Sequence, residues 1–120
     1  GDLTESIIGC GIKVHRQLGS GLLESVYVTC LCYELGRLNI PLEREVSIPI
    51  VYDGLRIDAG FKADIIVAKS VIVEAKAVEK LAPIHEAQLL THLKLSGLRV
   101  GLLMNFNALR FMDGLMRRVI

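Results

Sequence analysis

The sequence carries almost no net charge: 14 Lys and Arg stand against 13 Asp and Glu, a formal balance of +1. A protein that grips long nucleic acid through many phosphates shows a basic excess, because each contact neutralises a phosphate. Its absence excludes that mode and leaves local, metal-assisted or weak contact. Cysteine is scarce, with three residues. Cys10, Cys30 and Cys32 make an odd count with no secretory segment before them, so reduced thiols in a cytoplasmic protein are expected. Cys30 and Cys32 lie two apart in a helical pattern and point away from each other. No second ligand pair stands at zinc spacing, which argues against a zinc site. No apolar run is long enough to cross a bilayer, so no membrane partner is expected. Internal repeats, linkers and low-complexity stretches are lacking too.

What is present suffices for a core. Of 120 residues, 52% are apolar and 22% charged, which fits a single domain over residues 1–120. Gly1 in place of Met reads as a cloning remnant or a trimmed start. Asp2 and Glu5 resemble a capping box. Ile7, Ile8, Ile12, Val14 and Leu18 follow at helical spacing, and Gly19 stops them. A second helix is expected from near Gly21, ending at Gly36.

Asn39-Ile40-Pro41 breaks the helical period. Val46, Ile48 and Ile50 then alternate as in a strand, and Pro49, which has no N–H to donate, places it at an edge. Asp53-Gly54 predicts a hairpin. The return strand runs from about Leu55 to Val67, with Leu55, Ile57, Ala59, Phe61, Ala63 and Ile65 on one face. Arg56, Asp58, Lys62 and Asp64 share the other. After a turn at Ala68-Lys69-Ser70 comes a strand from Val71 to Lys76. Pro83 opens a third helix that Gly97 closes. Val100 to Met104 reads as a strand buried on both faces. Asp113-Gly114 suggests a turn before a last strand, Leu115 to Ile120. The expected fold is one mixed sheet flanked by helices, with a parallel crossover from Val71 to Met104.

Glu74 and Lys76 are two apart on a strand and leave the same face. If the turn at Lys69 makes a hairpin, Asp64 lies on the adjacent strand. Two carboxylates and an ammonium then share a patch. Such carboxylates suit a hard cation, Mg²⁺ or Mn²⁺, with water completing the shell. Taken alone, an acid and a base two apart usually form a solvated surface row. Here they end core-like strands beside a loop, where α/β sheets place their sites.

Asp64 followed by Glu74-Ala75-Lys76 resembles the PD-(D/E)xK motif of the restriction-endonuclease-like nuclease superfamily. Gly21-Leu22-Leu23-Glu24-Ser25-Val26-Tyr27 resembles the defining segment of its GxxExxY branch. Val14 to Gly19, Val51 to Gly54 and Gly101 to Phe106 resemble that branch as well. The resemblance implies an α/β core of ααβββαβ order with four to five strands. It implies Asp64 and Glu74 as metal ligands, the Ala75 carbonyl as a third, and Lys76 as the catalytic lysine. Glu24 becomes the first-helix carboxylate aimed at the metal, and Gln88 a substrate-side glutamine. Where relatives often carry tyrosine four residues after that glutamine, this chain has His92, which can contact a phosphate or base. Ser20 stands for a usual proline, Lys62 for a frequent arginine, and Ala63 for the proline of the motif's name.

Other residues have plain readings. Tyr27 is expected in the core with its hydroxyl at the rim. His15 reads as a satisfied helix histidine, and Arg117 and Arg118 as solvated terminal charges, with contact to a phosphate as the alternative. Without the resemblance, Glu24 would simply complement a helix dipole. The leading functional expectation is a metal-dependent phosphodiesterase acting on nucleic acid. DNA is the superfamily's commonest substrate, and RNA is not excluded. One rival is a non-catalytic nuclease-fold interaction domain, acting as a homodimer or with a larger nucleic-acid enzyme through apolar edge residues from Leu109 to Ile120. Another is an enzyme that cleaves a nucleotide.

Overall fold

A computed structural model of the chain describes residues 2–120; Gly1 lies outside the described residues. The elements run α1 (Asp2–Leu18), α2 (Glu24–Arg37), β1 (Leu42–Tyr52), β2 (Leu55–Val67), β3 (Val71–Lys76), α3 (Pro83–Ser96), β4 (Val100–Asn105), a 3₁₀ turn (Phe111–Gly114) and β5 (Leu115–Val119). The sheet order is β1-β2-β3-β4-β5. β1, β2 and β3 form an antiparallel meander, β3 and β4 pair in parallel across α3, and β5 returns antiparallel. This is the expected mixed α/β architecture.

Local chemistry explains most boundaries. Asp2 and Glu5 sit in the first turn of α1, where negative charge suits the helix dipole. Pro83 occupies the start of α3, and the Ala82 N–H is taken by His85 Nδ1 at 2.8 Å. Gly97 closes that helix in the left-handed region, φ +76°. The start of α2 departs from expectation: it begins at Glu24, not near Gly21. Gly19 and Gly21 take φ +73° and +100°, conformations that no helix contains. Gly36 lies inside α2, and Asn39, with φ +58°, turns the chain after it.

β1 is an edge strand, as Pro49 requires, and its register against β2 shifts between Ile48 and Ile50, at the proline. Beyond β3 the β1–β2 hairpin extends as an arm. Its tip exposes Val51, Tyr52 and Leu55.

Two cores cover the sheet. On one face, Ile65, Val67, Val71, Val73 and Ala75 pack with Ile7, Val14, Tyr27 and Leu31 of α1 and α2. On the other, Ala63, Ile66, Ile72 and Leu103 pack with Leu89 and Leu93 of α3, joined by Phe61. The single apolar face expected from Leu55 to Ile65 is therefore corrected. Phe61 and Ala63 face α3, whereas Ile65 faces α1 and α2. The alternation slips at Asp64. Across from it, between the pairs Arg44–Ile65 and Val46–Ala63, Glu45 has φ +53°. A non-glycine residue in that region inside a strand marks a local twist that re-aims side chains.

Candidate active site

Asp64 sits where β2 parts from β3, whose pairing ends at Ile65–Val73. Its carboxylate fills the opening: Oδ2 accepts the Ala75 N–H at 2.9 Å, replacing a ladder bond with a side-chain bond. Beside it lies a cavity of about 240 Å³, lined by Glu24, Ser25, Val28, Arg44 and Glu45. The slip in β2 and the twist in β1 thus place this acid against α2.

Glu74 points to the other helix layer. It is 5% exposed, and its Oε2 is hydrogen-bonded to His92 Nδ1 of α3. The imidazole stacks on Phe61, with ring centroids 4.1 Å apart and planes 6° from parallel. His92, expected on the substrate side, has its Nδ1 on a carboxylate, and its side chain is 20% exposed. Gln88, one turn earlier on α3, is exposed.

Lys76 ends β3 half-buried, opposite Asn105 in the parallel ladder. The chain beyond it is clasped. Asn105 Oδ1 accepts the Val78 N–H at 3.1 Å, and Asn105 Nδ2 donates to the Val78 carbonyl at 2.9 Å. The Phe106 N–H donates to the Lys76 carbonyl at 2.9 Å. Asn105 is buried, and a Cβ on Gly114 would come within 2.4 Å of its carbonyl oxygen, so the 3₁₀ turn closes over it only with glycine there. Neither Asn105 nor Phe61 stands out as a site residue in the sequence. Its one signal is a polar residue ending the apolar run of β4.

Glu24 opens α2, and its Oε2 accepts the Ala77 N–H at 3.4 Å, which ties the helix to the segment after Lys76. Tyr27 fixes the loop before it. Its hydroxyl donates to the Gly19 carbonyl at 2.7 Å and accepts the Leu22 N–H at 3.1 Å. From the far side, Asn107 Oδ1 accepts the Gly21 N–H at 2.9 Å. The Tyr27 ring is fully buried and stacks on Phe106, so core ring and polar rim both appear as the sequence suggests. His15 is satisfied by the Ala108 carbonyl at 2.7 Å. Arg118 departs from expectation: it pairs with Glu86 of α3.

The electrostatics centre on Asp64. Burial pushes its carboxyl above the ordinary aspartate range. The Ala75 N–H and Lys76 pull it down, while the charges of Glu74 and Glu24 push it further up. Glu74, Lys76 and Glu24 therefore all lie near enough to act on the charge of Asp64. Among the described residues, however, no group of three or more His, Cys, Asp and Glu side chains is placed to hold a metal ion. Asp64, beside α2, and Glu74, bonded to α3, approach the end of β3 from different helix layers instead of sharing one open patch, and what links them is the effect of Glu74's charge on Asp64.

The raised pKa carries a stability prediction. The folded chain holds the Asp64 proton more tightly than the unfolded chain, so stability falls as pH rises from the ordinary aspartate pKa through the folded value. Asp64→Asn keeps an oxygen for the Ala75 N–H and carries no charge. Its melting temperature at pH 7 is expected above wild type without added cations. The gap should close below the ordinary aspartate pKa. A variant less stable than wild type at pH 7 would show that Asp64 is not electrostatically crowded.

No helix among the described residues is long and apolar enough to cross a membrane. The family model described as the PD-(D/E)XK nuclease superfamily matches residues 1–119. No curated protein and no solved structure matches the chain. The match spans both strands that carry the acidic residues and the lysine, and the fold accords with it. The chain belongs to the PD-(D/E)XK nuclease superfamily.

Proposed function

We propose that this chain is a divalent-metal-dependent nuclease acting on DNA, with residues 1–120 as one nuclease domain of the GxxExxY branch. The observation that carries this reading is Asp64: a part-buried carboxylate at the split between two strands, with Glu74, Glu24 and Lys76 acting on its charge. The local wiring supports the branch assignment. Gly21 supplies a left-handed turn, Tyr27 clamps that turn, and Glu24 begins the helix it sets.

The donors fit a hard cation. Asp64 Oδ2 is taken by Ala75 and Glu74 Oε2 by His92, which leaves Asp64 Oδ1 and Glu74 Oε1 to offer. Mg²⁺ and Mn²⁺ suit such sites, since Mg²⁺ typically binds through one or two carboxylates and keeps several waters. The Ala75 carbonyl is the third donor in this reading. Bound there, the cation would neutralise phosphate charge and acidify a water.

The chain's own groups do the rest. Lys76 orients the attacking water and meets the negative charge that builds on the phosphate. Water adds to phosphorus, the P–O ester bond breaks, and the departing oxygen takes a proton. Glu24 holds the segment after Lys76 through the Ala77 N–H. Gln88, exposed on α3, faces the substrate side.

A second reading has its own support. Leu109 is 90% exposed, Met112 58% and Val119 55%, next to the open edge of β5. Such a surface suits a homodimer or a partner enzyme, with or without catalysis.

The deciding experiment incubates the purified chain with supercoiled plasmid, single-stranded RNA and a mononucleotide, in Mg²⁺, in Mn²⁺ and in EDTA. Nicked plasmid with either cation and none with EDTA is the expected result. Intact substrates throughout, from a chain that is a tight dimer, would favour the second reading.

A further inference from the structure

We propose that His92 is the positioning residue for Glu74, with Phe61 as its platform, and that this pair presets the carboxylate for the cation. The proposal rests on the reading of Glu74 as a cation ligand. A carboxylate oxygen facing a ring nitrogen can only accept when ionised, so the hydrogen lies on Nδ1. That contact joins Glu74 of β3 to α3. The imidazole cannot swing freely, because its face lies flat on Phe61, 4.1 Å between centroids. Leu89 and Leu93, both fully buried, lock the register of α3 beneath it. Phe61 belongs to β2, three residues before Asp64.

The strand that carries one acid therefore also steadies the ring that orients the other. With Oε2 occupied, Glu74 is restricted to orientations in which Oε1 is the free oxygen. Outer partners that fix a ligand in this way typically contribute on the order of 10- to 100-fold in metal affinity. His92 would act through Glu74, not by touching substrate.

Two substitutions separate this role from packing. In His92→Asn the amide nitrogen stands at the depth of Nδ1. In His92→Gln it stands at the depth of Nε2 and cannot reach Glu74 in the same way. The measurement is Mn²⁺ affinity by titration calorimetry on the full chain, with folding followed by circular dichroism. His92→Gln and His92→Ala are expected to bind on the order of 10- to 100-fold more weakly than wild type, and His92→Asn close to wild type. Phe61→Leu should fall between. If His92→Ala does not fold, the Asn and Gln variants decide. Equal affinity in Asn and Gln, or wild-type affinity in Ala, overturns the positioning role and leaves the nuclease reading standing. A wild-type chain that binds no Mn²⁺ overturns both.

Discussion

Lys76→Ala is expected to lose cleavage by on the order of 10²–10⁴-fold, the range typical of a positioned proton-handling or charge-stabilising group. The loss should be confined to chemistry. Lys76 lies at the end of β3, half-buried, and the neighbouring backbone is held by other groups: the Phe106 N–H on its carbonyl and Asn105 on Val78. Removing the side chain leaves that clasp in place. The variant should therefore fold, losing only the modest support that the Lys76 charge gives to ionised Asp64, and still bind Mn²⁺, since Lys76 supplies no cation donor. Single-turnover cleavage with saturating Mn²⁺ checks this. A Lys76→Ala protein that cleaves within a few-fold of wild type would remove the lysine from the mechanism.

The second large effect is structural. Phe106→Ala is expected to cost about 3–5 kcal/mol, as for other fully buried aromatics cut to alanine. Phe106 is 0% exposed and stacks on Tyr27 at 4.4 Å, with the planes 6° apart. Phe111 packs against it at 5.7 Å. A loss of that size is a large share of the roughly 5–15 kcal/mol that usually stabilises a domain. Tyr27→Phe is the informative partner. It keeps the stack and removes only the hydroxyl that holds Gly19 and Leu22, for roughly 1 kcal/mol. Urea denaturation of both variants should show a large midpoint shift for the first and a small one for the second. Similar shifts would mean that the loop clamp, not the stack, stabilises this layer.

Much of this fold is legible in the residues because local signals agree with one another. Asp53-Gly54 turns the chain between Tyr52 and Leu55, Pro49 sits at a register shift on an edge strand, and Pro83 and Gly97 bound α3. What sequence spacing misses depends on three dimensions. Period-two alternation puts Ala63 and Ile65 on one face, yet the twist at Glu45 and Asp64 sends them to opposite layers. The start of α2 shifts because glycine spacing does not reveal which glycine adopts positive φ. The acids and the lysine are readable as a strand motif. The contact of His92 with Glu74 is not, because it depends on Phe61, 31 positions away in the chain, coming to lie beneath α3. Asn105 escapes notice for the same reason: a lone polar residue at a strand end shows its purpose only once Val78 lies beside it.

The proposed mechanism has Asp64 and Glu74, on neighbouring strands, hold one divalent cation between them. Mn²⁺ binding followed by electron paramagnetic resonance in wild type, Asp64→Asn and Glu74→Gln tests it most directly. One site in wild type, lost or severely weakened in each variant while the fold persists, is the predicted result. Undiminished Mn²⁺ binding in either variant, or none in wild type, would contradict it.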